Sequence, residues 1–268
     1  MNVQVLVSTM YQSDHSLLEK MNIQSDAIII NQCDRNEVKL FNYKDINVKW
    51  VDSTDKGLSK SRNVAIQNAK DGICILSDDD LMYINGYADI VAEQFEKHPK
   101  ADVIAFQVEG IEKKFKTYYP VARKLNYLTS MKVSSVEIAF RLSSIRHQEI
   151  CFNESFGAGA KYYMGEENIF LFDCIKRKLK VFYIPIKIAD LHVVDSSWFR
   201  GFNREYFICR GASFTGMSRI FSVFLIIQFT IRKYKLFGKK NSWMQSIKYM
   251  LEGRRQYINQ SKHNGNRL

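Results

Sequence analysis

The chain is poor in the residues that mark linkers, disulfide frameworks and membrane spans. Its 268 residues include only three prolines and no stretch rich in glycine and serine, which argues against a flexible linker. The five cysteines are odd in number, scattered, and without C-x-x-C spacing, so we expect free thiols in a reducing cytosol. The longest apolar run, 220–231, is shorter than the roughly 20 residues that cross a bilayer.

Acidic residues are scarce in the last quarter of the chain. Residues 1–198 carry 25 Lys and Arg against 26 Asp and Glu, whereas 199–268 carry 14 against two. This difference predicts a near-neutral domain over 1–198 and a basic, amphipathic helical region over 199–268. A nucleic-acid-binding protein should interleave its basic residues with exposed aromatics on its main fold. Because the charge lies in the tail instead, we expect no nucleic-acid partner.

Apolar segments of two kinds alternate along the first 110 residues. Strand-like segments lie at 3–7, 26–30, 48–51, 73–76 and 103–108, and helical patterns lie at 58–69 and 87–97. This order predicts an α/β fold with a mostly parallel sheet flanked by helices. The region 110–146 predicts no clear element, and it is followed by a helix at 165–178 and strands at 181–184 and 188–194.

Three adjacent carboxylates, Asp78, Asp79 and Asp80, follow the predicted strand at 73–76. Adjacent carboxylates repel one another, so such a group is typical of a cation site. The carboxyl ends of strands are also where open α/β sheets bind ligands. The alternative is a solvated turn whose aspartates cap the helix that begins near Gly86.

Three further segments carry polar residues that suit a phosphate or metal site. GLSKSRN at 57–63 places Arg62 one turn into a helix, whose N-terminus favours anions. GEENIF at 165–170 begins a helix with Glu166 and Glu167, which alone could be ordinary first-turn acids. His192 lies in the strand-like ADLHVV, where a lone histidine is more often a core residue than a ligand.

Taken in this order, the segments resemble the inverting family 2 glycosyltransferases of the GT-A (Rossmann-like) fold, over about residues 1–195. The matching features are the first strand ending in Ser8-Thr9, NQCD at 31–34, GLSKSRN, the aspartate triplet at the D-x-D position, FNESFG at 152–157, GEENIF and His192. The resemblance implies a hexosyltransferase that uses a nucleotide-sugar, most often a UDP-sugar, and a divalent metal. The acceptor would be a hydroxyl of a polysaccharide, a lipid-linked oligosaccharide or a glycoprotein.

The resemblance also implies roles for individual residues. Asp80 would bind Mn²⁺ or Mg²⁺, with Asp78 and His192 as further ligands. Family members usually have Gly-Glu-Asp where this chain has Gly-Glu-Glu, so Glu167 takes the position of the catalytic base and Glu166 is the alternative. The positions assigned to the donor are Ser8, Thr9, Tyr11, Gln32, Asp34, Arg62, Asp78 and Asp79.

Two other functions fit parts of the sequence. A nucleotidyltransferase would also use a nucleotide and a metal, but usually with a glycine-rich phosphate loop after the first strand, which this chain lacks. A catalytically inactive relative would serve as a partner subunit, although every acidic and histidine position of the pattern is filled.

The basic tail is open to three interpretations, one of which is a basic patch that attracts a negatively charged acceptor. Residues 219–240 combine an apolar run with Arg219, Arg232, Lys233 and Lys235, as in a helix that lies on an anionic membrane surface. The same helices could instead pack against a second subunit in a homo-oligomer. We therefore expect a protein of the cytoplasm, either free or at the inner face of the membrane.

Overall fold

The computed structural model describes residues 1–193, 199, 201–238 and 241–263. Within these residues the strands are β1 (Val3–Met10), β2 (Asp26–Gln32), β3 (Glu37–Tyr43), β4 (Ile46–Ser53), β5 (Ile73–Asp78), β6 (Leu81–Tyr83), β7 (Val103–Gly110), β8 (Arg123–Lys124), β9 (Ile138–Arg141) and β10 (Val181–Leu191). The helices are α1 (Leu17–Lys20), α2 (Leu58–Asn68), α3 (Tyr87–Lys97), α4 (Tyr127–Ser130), α5 (Leu142–His147), α6 (Glu166–Lys176), α7 (Arg204–Met217), α8 (Ser222–Phe237) and α9 (Trp243–His263). The predicted α/β class is confirmed.

The centre of the sheet is a parallel run of four strands, β4-β2-β1-β5. Strands β1, β2 and β5 are buried on both faces, whereas burial alternates along β4, which lies nearer the edge of the sheet. The register pairs Ser8 with Asp78 and Met10 with Gln32, so the carboxyl ends of these strands meet at one edge. Helix α2 covers one face of the run and α3 the other.

The remaining strands depart from the sequence prediction. β9, in the region without a predicted element, runs antiparallel between β5 and β7, and β3 adds an antiparallel edge beside β4. The two strands predicted at 181–184 and 188–194 are wrong as separate elements. They form one strand, β10, whose pairing with β7 is irregular after Tyr183 and again after Lys187. Pro185, which has no N–H to donate, lies in this irregular stretch. Val194 is outside the described residues.

The C-terminal helices pack on the segment that leads into α6. Side chains of α7, α8 and α9 form one buried apolar cluster with Phe156, Tyr162 and Ile169. The predicted domain boundary after residue 198 falls outside the described residues and stays a prediction. No helix among the described residues is both long and apolar enough to cross a membrane. All five cysteines are free, as expected.

Helices α7 and α9 approach each other at two glycines. A Cβ at Gly211 would lie 1.9 Å from the carbonyl oxygen of Met250, and one at Gly253 would lie 2.0 Å from that of Ile208. Both distances are far below van der Waals contact, so only glycine permits this crossing.

We expect Gly211→Ala to destabilise the protein and lower its melting temperature by several degrees. Helix propensity alone would make the alanine variant more stable by up to about 1 kcal/mol. A loss of stability therefore shows that the close contact between the helices outweighs propensity. Thermal unfolding followed by circular dichroism measures it, with Lys248→Ala on the exposed side of α9 as the control. A melting temperature that stays equal or rises would contradict the close packing.

Candidate functional site

The aspartate triplet lies where β5 ends, beside the end of β1. Asp78 Oδ1 accepts a hydrogen bond from Nη2 of Arg62 at 2.8 Å, and Asp79 Oδ2 accepts one from Oγ1 of Thr9 at 2.5 Å. The Asp80 carboxylate pairs with no other described side chain. The alternative interpretation as helix caps is wrong, because α3 begins after Gly86 and no side chain caps it.

Strand pairing brings His192 to Asp80. β6 runs antiparallel to β10 with Leu81 opposite Leu191, and the backbone N–H of His192 donates to the Asp80 carbonyl at 3.0 Å. Desolvation by the surrounding protein, and then the charges of Asp78 and Asp79, raise the pKa of Asp80 to about 6. Two of the three predicted metal ligands, Asp80 and His192, are therefore neighbours.

The imidazole of His192 already has one partner. Its Nδ1 lies 2.8 Å from Oε1 of Glu112, and the backbone N–H of Val193 donates to the other oxygen of the same carboxylate at 2.7 Å. The hydrogen bond with His192 is the main cause that lowers the pKa of Glu112. The sequence did not predict Glu112, because neither the predicted elements nor the motif spacing links the loop after β7 to the end of β10.

The side chains near Asp80 suit a cation that also binds a substrate phosphate. The described residues contain no group of three or more His, Cys, Asp or Glu side chains that could hold a metal ion by themselves. Mg²⁺ commonly uses one or two carboxylates together with water and substrate phosphates. Asp80, unengaged and beside His192, fits such an incomplete site, so metal binding here stays a prediction.

Arg62 joins the end of β5 to the first turn of α6. Its side chain is fully buried, with Nη2 bound to Asp78 and Nη1 to Oε1 of Glu166 at 3.1 Å. Burial alone would lower its pKa, but the carboxylates of Asp78 and Glu166 outweigh that effect and raise it. The sequence predicted that Arg62 faces a donor; the geometry shows that two carboxylates hold its guanidinium.

The first turn of α6 carries two glutamates that differ in burial and in hydrogen bonding. The turn follows Gly165, which has φ of +92° and whose Cβ would lie 2.0 Å from Oγ of Ser213 on α7, so only glycine fits there. Glu166 is buried against Arg62. Glu167 is half-buried and pairs with no other described side chain; burial and the adjacent Glu166 charge raise its pKa to about 8.

The residues near the first two strands that were predicted to bind the nucleotide-sugar fall into a buried set and an exposed set. Ser8 and Gln32 are buried: Oγ of Ser8 accepts from Ser61 at 2.8 Å, and Oε1 of Gln32 accepts from the Gly57 N–H at 2.7 Å. They hold the start of α2 against the sheet edge. Tyr11 is 68% exposed.

The exposed Tyr11 ring has a cation above it. Nζ of Lys56 lies 4.4 Å from the ring centroid and donates to the Cys33 carbonyl at 2.9 Å. Asp34, also predicted to contact the donor, is exposed, with only a 3.9 Å contact to Arg35. These side chains border open space at the carboxyl end of the sheet.

A buried carboxylate at the end of β4 was not predicted. Asp52 accepts hydrogen bonds from Asn31 at 2.7 Å, Trp50 at 3.0 Å and Arg35 at 2.6 Å. Burial would raise its pKa, but these bonds outweigh burial and lower it. The available signal was a single acid at the end of the strand-like INVKWVDS. Asp52 fixes Asn31, which follows the apolar part of β2.

A second unpredicted pair lies in the region 110–146. Nζ of Lys116 is 2.6 Å from Oε2 of Glu137, and the Tyr118 hydroxyl donates to Oε1 of Glu137 at 2.6 Å. Burial lowers the pKa of Lys116 and raises that of Glu137. The signal was one acid within the apolar SSVEIAF.

The comparisons with known proteins rest on structure alone. No family model and no curated protein matches the sequence. A structure of TarS from S. aureus aligns with a TM-score of 0.63 at 13% identity, over 94% of this chain and 49% of the TarS chain. The present chain thus spans about half of that TarS chain.

The alignments with structures of TarS 1–349 cover nearly all of both chains. These structures align over 99% of this chain and 92% of theirs, at 12–13% identity, and include complexes with UDP (TM-score 0.62) and UDP-GlcNAc (0.63). At these identities the likeness establishes a shared fold and no more.

We expect Arg62→Ala to lower the free energy of unfolding by about 3–5 kcal/mol, because it leaves the buried Glu166 and the partly buried Asp78 unpaired. Urea denaturation measures the loss, with the exposed Arg177→Ala as the control. The double variant Arg62→Met, Glu166→Gln should recover part of the loss, since it removes the deeper unpaired charge. Equal stability of Arg62→Ala and the wild type would contradict the bridge.

We expect Glu167→Gln to stabilise the protein, and more so at higher pH. The pKa of Glu167 is about 8 when folded against an ordinary value of 4.5, so the unfolded state ionises first and the stability falls as pH rises between the two values. Melting temperatures of wild type and variant should differ little near pH 4.5 and by at least about 2 °C above pH 8. A difference independent of pH would show that Glu167 has an ordinary pKa.

Proposed function

We propose that the chain is a metal-dependent inverting glycosyltransferase that moves a sugar from a UDP-sugar to a hydroxyl of a glycan acceptor. One observation carries the proposal. A single buried arginine, Arg62, fixes the end of β5 against the first turn of α6, and each of these elements also bears an unengaged carboxylate, Asp80 and Glu167. Such a pair supplies one group for the donor side and one for the acceptor side.

The donor assignment draws support from the fold and from the sheet edge. The structural neighbour TarS is a glycosyltransferase whose structures include complexes with UDP and UDP-GlcNAc. In this chain the edge formed by β1, β2 and β5 offers Tyr11 as an exposed aromatic face for a nucleobase. The N-terminus of α2 lies beside this edge and favours a negatively charged diphosphate.

The base assignment follows from hydrogen bonding. Glu166 is committed to Arg62, so its carboxylate oxygens are less available to a substrate. Glu167 is partly open to solvent, has no side-chain partner among the described residues, and has a pKa raised to about 8. A raised pKa makes the ionised form of a carboxylate a stronger base. We therefore assign the proton-accepting role to Glu167 and the positioning role to Glu166.

The proposed step is a single displacement. The acceptor oxygen attacks the anomeric carbon from the face opposite the nucleotide, and its proton passes to a carboxylate oxygen of Glu167. The bond between that carbon and the diphosphate oxygen breaks, and its electron pair leaves with UDP. Attack from the opposite face inverts the anomeric configuration.

Asp80, with Asp78 and His192 nearby, would hold the divalent cation. Mn²⁺ or Mg²⁺ bound there would neutralise charge on the departing diphosphate. Asp78 can share its second oxygen, because one oxygen is bound to Arg62. The acceptor, whether a polysaccharide, a lipid-linked oligosaccharide or a glycoprotein, would approach on the side of Glu167.

Donor binding provides the test. We expect UDP and UDP-GlcNAc to raise the melting temperature by several degrees with Mn²⁺, since a hundredfold excess over Kd adds about 2.7 kcal/mol. Asp80→Asn should remove the metal-dependent part of the shift, whereas the control Asp45→Asn, in the exposed β3–β4 turn, should retain it. Differential scanning fluorimetry measures both.

Two outcomes would contradict the proposal in different ways. If Asp80→Asn keeps the full metal-dependent shift, the metal is not held by Asp80. If neither UDP nor UDP-GlcNAc shifts the wild type, with or without metal, the chain is better explained as an inactive partner subunit.

A further inference from the structure

Helix α8 exposes an apolar stripe. Phe224, Ile227, Ile231 and Tyr234 are spaced by three or four residues, which places them on one face of the helix. Ile231 is 74% exposed and Phe224 is 59% exposed. The residues before the helix, Ile220 and Phe221, are exposed as well, so the stripe begins ahead of the first turn.

This stripe is not the face by which α8 joins the fold. The opposite side of α8 buries Leu225 and Ile226 in the apolar cluster shared with α7 and α9, and Thr230 is buried as well. The helix is therefore held on one side, and its exposed apolar side chains lie beyond what that packing requires.

Helix α9 continues the exposed apolar surface. An open groove of about 790 Å³ runs along it, lined by Met244, Ile247, Leu251 and Ile258. Arg219, which directly precedes the stripe of α8, also lines this groove. We call the stripe and the groove together the tail surface.

Cations surround the tail surface, and carboxylates are nearly absent from it. The basic side chains here that have no ion-pair partner among the described residues include Arg219, Arg232, Lys233, Lys235, Lys248 and Arg255. Arg254 also lines the groove, and its Nε donates to Oγ of Ser222 at 2.9 Å. Residues 199–268 contain two acids, Glu205 and Glu252. Of these, Glu252 is bound to Arg204 at 2.6 Å. The surface is therefore apolar at its centre and positive at its margin.

We propose that the tail surface lies on an anionic phospholipid bilayer. A lipid surface offers an acyl layer for Phe224, Ile227 and Ile231 and negative head groups for the surrounding cations. A symmetric second copy would place cations against cations, and protein interfaces are depleted in lysine. Nucleic acid would match the charge but would leave the aliphatic side chains in water. This inference does not depend on the proposed catalytic function.

Vesicle co-sedimentation of the full chain tests the proposal. The protein should bind vesicles that contain phosphatidylglycerol, bind phosphatidylcholine vesicles far less, and lose binding as salt is raised. Ile227→Glu with Ile231→Glu, and separately Arg232→Glu with Lys235→Glu, should each lower the partition coefficient at least about tenfold.

Matched controls separate this surface from general effects. Val38→Glu with Leu40→Glu changes two exposed apolar residues of β3, and Lys20→Glu with Lys100→Glu makes the same change of net charge elsewhere. Both should bind like the wild type, and all variants should keep the wild-type melting temperature. If the Ile227→Glu, Ile231→Glu variant unfolds, Ile231→Ser is used in its place. If the Arg232→Glu, Lys235→Glu variant unfolds, Arg232→Gln is used instead.

Two results would overturn the proposal. One is equal binding to both kinds of vesicle. The other is no binding to either; if sedimentation velocity then shows a dimer that Ile227→Glu with Ile231→Glu dissociates, the surface belongs to a second copy of the chain.

Discussion

The buried ion bridge of Arg62 with Asp78 and Glu166 is the interaction on which the rest of the site depends. Removing a guanidinium from water costs several kcal/mol, and only close, well-directed carboxylates offset that cost. Two elements distant in sequence, the end of β5 and the first turn of α6, must therefore meet at Arg62. This contact determines the positions of Asp80 and Glu167.

The bridge also distributes roles among chemically similar residues. Asp78 and Glu166 each give one carboxylate oxygen to the arginine, whereas Asp80 and Glu167 have no side-chain partner in the described part of the chain. Repulsion within each acidic pair or triplet then adds to desolvation, and raises the pKa of Asp80 to about 6 and that of Glu167 to about 8. Carboxylates kept in this state destabilise the fold, a cost typical of functional sites.

The sequence predicted those parts of the fold that local pattern determines. Buried apolar segments identified the parallel strands, and the aspartates after β5 led to the prediction of a ligand site at that edge, which stays a prediction. It did not predict β9, because this four-residue strand is defined by neighbours on both sides rather than by its own pattern. Likewise, Arg62 was predicted to be a site residue but its partners were not, since Asp78 lies at the end of β5 and Glu166 is brought to it by the packing of α6. The partnership of His192 with Glu112 depends on strand register in the same way.

The most direct test of this account is a crystal structure of the chain with UDP and Mn²⁺. The account predicts the nucleotide at the edge formed by β1, β2 and β5, the cation bound to Asp80 between the protein and the diphosphate, and Arg62 still bound to Asp78 and Glu166. UDP bound away from that edge, or a cation held without Asp80, would contradict it.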